Sequence, residues 1–231
     1  MLCAIRVFVS ALLVLVLLSA LAPSAVAAAS AAGATTALPA QPTAQQARDS
    51  LRKRLAAMDR FHAHFSQFIE GARGEVIEES TGEVLMQRPL LRWEVDQPYP
   101  QTIVADAKRL QIYDPDLAQV MVKPLSEALD DSPIALLTSD TVGLNDAFDV
   151  VLLPGEGVSA EDVYLLSPRS QESLFQEVRL HFEGAVLTAL LIFDHLGQYT
   201  TVRFRQIPGS AVLESALFDL DLPEDVDIID G

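Results

Sequence analysis

The sequence contains one cysteine, Cys3, and only half as many basic residues (16) as acidic ones (32). Cys3 lies before the apolar run of residues 7–21, whereas a lipid anchor needs a cysteine after such a run. Cys3 also lies within the signal peptide that we predict below, so the mature chain has no cysteine and disulfides contribute nothing to it. The acidic balance disfavours binding to nucleic acid or adsorption to an anionic bilayer, because both need basic patches.

Sequence motifs for catalysis or cofactor binding are also missing. The chain has no nucleophile elbow, P-loop or dinucleotide fingerprint. The pair His62 and His64 lies on one face of a predicted strand, but nothing nearby supplies a third metal ligand. Surface histidines are the simpler interpretation. We expect no enzyme activity, no metal and no cofactor.

The N-terminus carries an export signal. Arg6 precedes the apolar run, and Ala25-Val26-Ala27 fits the small-residue pattern of signal peptidase cleavage. The run is too short and too soon broken by Pro23 for a comfortable membrane span, although a retained anchor is the alternative. We predict a signal peptide over residues 1–27, a flexible Ala/Thr/Pro/Gln-rich leader over 28–42, and one domain over 43–231. This places the mature protein in the periplasm.

The domain is predicted to begin with an amphipathic helix and continue as a meander of strands. Thr43 and Gln46 form a capping box, and a strand begins near Phe61. Alternating apolar residues over 91–95, 178–182 and 200–204 predict half-buried strands. Thr81-Gly82 predicts a hairpin turn. The whole is typical of a mainly β fold whose antiparallel sheet is curled or closed.

Two segments depart from simple alternation. Residues 186–193 are apolar at nearly every position, which predicts a strand covered on both faces; core burial and a ligand cavity account for it equally well. Ser132 and Pro133 begin a short apolar helix containing Ile134, Leu136 and Leu137. This helix is either a plug of ordinary core or a lid over a cavity.

Six sequence blocks are distributed along the predicted mature chain: residues 61–67 (FHAHFSQ), 87–94 (QRPLLRWE), 113–120 (YDPDLAQV), 132–137 (SPIALL), 194–198 (DHLGQ) and 225–230 (DVDIID). In these blocks the chain resembles the LolA family of periplasmic outer-membrane lipoprotein carrier proteins, and the resemblance covers essentially the whole mature chain. One hairpin departs from the family, because Asp106-Ala107 stands where Asp-Gly is usual.

The resemblance implies an incomplete, curled antiparallel β-barrel with an N-terminal helix and short lid helices over a hydrophobic cavity. It implies a monomeric carrier that takes acylated lipoproteins from an inner-membrane ABC-type release complex to an outer-membrane acceptor. Arg88 is similar to a latch that bonds the lid, with a salt-bridged surface arginine as the alternative. The cavity residues expected are Phe61, Phe65, Trp93, Leu190 and Ile192, and the lid residues are Pro133, Ile134, Leu136 and Leu137.

Two other functions fit the sequence less well. The same fold also suits a module that senses lipid or lipoprotein, which pull-down of native cargo would separate from a carrier. A periplasmic lipid hydrolase would need a nucleophile and a base clustered in the cavity.

Overall fold

The computed structural model describes residues 42–125, 127–128, 137, 147–153, 161–207 and 213–230, all within one compact unit that spans residues 39–231. The predicted signal peptide, nearly all of the leader and most of the predicted lid lie outside the described residues. In the part described, no helix has the length and apolar character needed to cross a membrane.

The chain enters the described unit through helix α1 (Ala44–Ala57). The predicted capping box is confirmed: the Thr43 hydroxyl accepts from the Gln46 amide, and the Gln46 side chain accepts from the Thr43 amide at 2.8 Å. Ala47, Leu51 and Leu55 form the buried face of α1. Strand β1 begins at Arg60, as the alternation around Phe61 predicted.

Strands make up most of the rest. They are β1 (Arg60–Glu70), β2 (Val76–Gln87), β3 (Leu90–Gln97), β4 (Gln101–Ala105), β5 (Arg109–Asp114), β6 (Gln119–Pro124), β7 (Phe148–Leu153), β8 (Glu161–Pro168), β9 (Phe175–Glu183), β10 (Val186–Asp194), β11 (Tyr199–Gln206) and β12 (Asp227–Asp230), with a 3-10 helix at Ser215–Phe218.

The twelve strands form one sheet in the order β12-β6-β5-β4-β3-β2-β1-β11-β10-β9-β8-β7. Every pairing is antiparallel except that of β12 with β6, which is parallel. The terminal strands β12 and β7 are not paired with each other in the residues described, so the curled sheet is an incomplete barrel. The predicted fold class is confirmed.

The hydrophobic core lies on the concave face of this sheet, and α1 packs there next to β7. The convex face is covered over β3–β5 by the C-terminal segment. There Phe218 is 4% exposed, and the Arg92 guanidinium donates to the carbonyl of Asp219 at 3.2 Å.

The hairpin predicted at Thr81-Gly82 is wrong. Strand β2 runs straight through both residues, and its pairing with β3 shifts register there as a β-bulge. The turn at Asp106-Ala107 forms despite its missing glycine, because the Asp106 carboxylate accepts from the amides of Lys108 (2.7 Å) and Arg109 (2.9 Å).

Candidate functional site

The concave face of the sheet is a continuous apolar surface set by strand register. Phe61 of β1 pairs with Met86 of β2, which pairs with Leu91 of β3. Two residues before Met86 in β2, Val84 pairs with Trp93 of β3. Because side chains alternate between the faces of a strand, these paired residues all point to the concave side. Each of them is at most 2% exposed.

Aromatic rings occupy the middle of this surface. The ring centroids of Phe65 and Trp93 are 4.3 Å apart, and Phe204 meets Trp93 edge-on at 5.9 Å and Phe61 at 5.4 Å. Phe204 was missing from the predicted cavity residues, although the alternation of β11 already placed it on the same face as Val202. Such a face binds apolar groups through area removed from water, without directional bonds.

Leu190 and Ile192 of β10 also lie on the concave side. Leu190 pairs with Val202 and Leu180, and is 1% exposed, whereas Ile192 is partly buried against the same core. The five predicted cavity residues are therefore brought together on one face.

The prediction that residues 186–193 are covered on both faces is wrong. On the convex side Leu191 and Phe193 are only half-buried, and the Phe193 ring lies 4.5 Å from the Arg179 guanidinium. A register shift between Leu187 and Ala189 puts Leu187 and Leu190 on one face, which explains the unbroken apolar run.

Helix α1 is tied to the concave face by a polar cluster around Tyr164. The Tyr164 hydroxyl lies 2.7 Å from the Ser50 hydroxyl and accepts from Arg54 Nε at 3.0 Å. The Arg54 guanidinium also pairs with Asp162 and lies 5.3 Å from the Phe182 ring. We call Ser50, Arg54, Asp162 and Tyr164 the α1 clasp.

Arg88 lies between β2 and β3, beside the junction of α1 and β1. Its amide donates to the carbonyl of Asp59 at 2.9 Å, and its Nε donates to the carbonyl of Met58 at 3.4 Å. Met58 is the C-cap of α1, so Arg88 binds a carbonyl at the end of a helix, although this helix is not the predicted lid.

Of the predicted lid, only Leu137 is described. It is helical and 1% exposed, and it belongs to the same core cluster as Trp93. Pro133, Ile134 and Leu136 lie outside the described residues.

Two histidine–glutamate pairs of the described strands lie on the convex face. His62 Nε2 lies 2.5 Å from Glu83 Oε1, which gives this histidine a structural partner, and the described residues contain no group of three metal-ligating side chains. Glu161 lies 3.1 Å from His181 Nδ1 and accepts from the Thr188 hydroxyl at 3.0 Å. Partial burial raises the pKa of Glu161, but these hydrogen bonds outweigh it and hold the pKa below its ordinary value of 4.5.

Comparison with known proteins gives a consistent family match. The family model described as outer membrane lipoprotein carrier protein LolA matches residues 56–221. The outer-membrane lipoprotein carrier protein of Chromohalobacter salexigens is 33% identical over 195 residues, which are 82% of this chain and 91% of that protein. That of Dechloromonas aromatica is 34% identical over 183 residues, 78% of this chain and 86% of that protein.

Solved structures show the same fold. An uncharacterized conserved protein from Thermus thermophilus superposes with a TM-score of 0.50 at 17% identity, over 81% of this chain and 99% of that one.

Proposed function

This chain belongs to the LolA family and is a lipoprotein carrier, and we propose that it holds the acyl chains of its cargo on the concave face. The observation that carries this site is the aromatic cluster of Phe61, Phe65, Trp93 and Phe204. Leu190 and Ile192 extend it across the sheet. A surface this apolar and continuous suits hydrocarbon better than any polar ligand.

The packing of this face supports reversible binding. Burying an acyl chain contributes about 0.8 kcal/mol per CH₂, so two or three long chains would nominally exceed the roughly 20 kcal/mol ceiling on affinity. Here the aromatic side chains already pack on one another, so cargo must displace those contacts. The displaced contacts offset part of the gain, which keeps release possible.

Further parts of the proposal concern the lid and the latch. Residues Pro133, Ile134, Leu136 and Leu137 cover the loaded face as a lid, and Arg88 acts as the latch at its edge. Support for the latch is that Arg88 already bonds the end of α1 at Met58.

We also propose the route and the place of action. The protein acts in the periplasm, receives cargo from an inner-membrane ABC-type release complex and delivers it to an outer-membrane acceptor. It does so without enzyme activity. The names of the relatives support a carrier over a sensing module or a hydrolase.

The acyl site is testable through Trp93, the only tryptophan in the sequence, which is 1% exposed at the centre of the concave face. A lipopeptide with bromine on its acyl chains is expected to quench Trp93 fluorescence, because bromine quenches only at contact distance. The unacylated peptide and a lipopeptide brominated in its peptide part serve as controls. Equal quenching by the acyl-brominated and the peptide-brominated lipopeptides would refute the site.

A further inference from the structure

A groove of about 470 Å³ crosses the convex face of the sheet over β1, β2, β3 and β11. Strand register shows which side chains point into it, because Ser66 pairs with Arg203 and His64 with Arg205 on the side opposite Phe65. We call this the convex groove; its outward-pointing lining residues are His64, Ser66, Thr81, Asp96, Arg203 and Arg205. Phe65, Gly82 and Phe204, which alternate with these residues along the strands, complete its floor.

The two arginine side chains of the convex groove are not neutralised by carboxylates in the described part of the chain. Among the residues that the structure describes, no carboxylate lies within ion-pair distance of Arg203, Arg205 or His64. The nearby carboxylates are engaged elsewhere: Glu83 faces His62 at 2.5 Å, and Glu94 accepts from Arg92 at 2.8 Å. Asp96 is the one carboxylate among the described residues that line the groove.

This arrangement places two like charges side by side. Arg203 and Arg205 stand two residues apart on one face of β11, so their like charges repel. The whole chain has twice as many acidic as basic residues, yet these two arginines are exposed and the described carboxylates do not pair with them. An anion bound from outside would relieve that repulsion.

We propose that the convex groove docks a carboxylate-rich segment of a partner protein. A flat anionic bilayer fits less well, because it would also meet Glu79, Glu83 and Glu94 on the same face and a net charge of −16. A narrow segment meets only the groove. Its backbone amides and carbonyls have partners there in Asp96 and in the hydroxyls of Ser66 and Thr81.

The position of the convex groove has a consequence for the carrier. Its outward-pointing side chains lie on the face opposite the Phe65 and Trp93 rings, so a partner docked there leaves the concave face open. A docked partner therefore leaves the carrier able to exchange acyl chains on the other side of the same sheet. The docking itself does not depend on the acyl site.

The test uses a fluorescein-labelled synthetic peptide of glycine and glutamate, with a glycine–glutamine peptide as control, and measures fluorescence anisotropy. The purified protein is compared with the double variant Arg203→Gln/Arg205→Gln and with Arg52→Gln/Arg169→Gln. The latter loses the same charge from exposed arginines that are paired with Asp49 and Asp149. Two exposed charge pairs at roughly threefold each predict about a 10-fold loss of affinity in the groove variant only.

Two further readouts separate the groove from other roles. The groove variant should be at least as stable to urea as the unchanged protein, since it loses repulsion and not packing, and its quenching by brominated acyl chains should be unchanged. Binding to the glutamate peptide should weaken as salt rises. An equal loss in both double variants, absent peptide binding, or groove-dependent binding to phosphatidylglycerol vesicles without peptide binding would each overturn the proposal.

Discussion

Gly82 lies against Phe65 in the middle of β2, where the chain has no room for a side chain. A Cβ built at this position would meet the carbonyl oxygen of Glu94 at 1.9 Å and the Phe65 ring at 2.6 Å. The glycine therefore serves close packing beneath the aromatic cluster. Glycine is typical both of turns and of strand positions where another backbone approaches closely, so the sequence alone does not distinguish the two.

We expect Gly82→Ala to destabilise the protein by about 1–3 kcal/mol, because the neighbouring backbone must move to admit the methyl group. Gly71→Ala is the matched control, since its Cβ would meet the end of the Glu75 side chain, which moves cheaply. Urea denaturation of both variants measures the effect. An unchanged midpoint for Gly82→Ala would show that the β-bulge absorbs the added group.

At the scale of elements, the attachment of α1 to the sheet depends on the α1 clasp. Tyr164 is fully buried, and its hydroxyl joins Ser50 and Arg54 of the helix to strand β8. The capping box holds only the first turn of α1. The clasp therefore adds directional hydrogen bonds to the apolar contacts that Ala47, Leu51 and Leu55 of the helix make with the core.

Tyr164→Phe is expected to lower the free energy of unfolding by about 1–3 kcal/mol, because it leaves the partly buried Ser50 and Arg54 groups without their shared partner. Tyr99→Phe, at a position 68% exposed, is the control and should have no measurable effect. Chemical denaturation gives the comparison. Equal stability of the two variants would show that α1 is held by its apolar face alone.

Arg88, the proposed latch, lies beside the junction of α1 and β1. We expect Arg88→Leu to fold and accept cargo but to hand it on at least roughly 10-fold more slowly, because losing the proposed latch favours the loaded state. One charge-assisted bond contributes about 1.5–3 kcal/mol. Arg88→Lys should be milder because one donor group remains.

Timed transfer of a lipoprotein to acceptor membranes, run beside the unchanged protein, measures the Arg88 defect. Acyl-chain quenching of Trp93 in the same samples checks that loading is intact. Unchanged handover by a stably folded Arg88→Leu protein would mean that Arg88 is not a latch and that its bonds to Met58 and Asp59 are structural.

The whole molecule is strongly acidic, and the predicted signal peptide removes one basic residue, Arg6, and no acidic one. We expect that charge to favour solubility and to disfavour adsorption to anionic membranes. We expect the mature protein to begin near Ala28 and to appear in the soluble periplasmic fraction. N-terminal sequencing after osmotic shock measures both, and Met1 intact in the membrane pellet would contradict the prediction.

The sequence by itself determined the elements that depend on local chemistry. The capping box at Thr43, the start of β1 near Phe61 and the alternation around Trp93 were all predictable, because caps and period-two patterns act over a few residues. The resemblance of the blocks around Arg88 and Tyr113 also indicated the family and the curled sheet.

Only the tertiary structure decided what depends on register and on contacts between distant strands. It joined Phe204 to Trp93, bound Tyr164 to α1 and placed Arg203 and Arg205 together, apart from the described carboxylates that could pair with them. It also showed Gly82 inside a continuous strand. A bulge or a pairing between strands far apart in sequence leaves no local pattern, because its free energy comes from neighbours that the sequence order does not reveal.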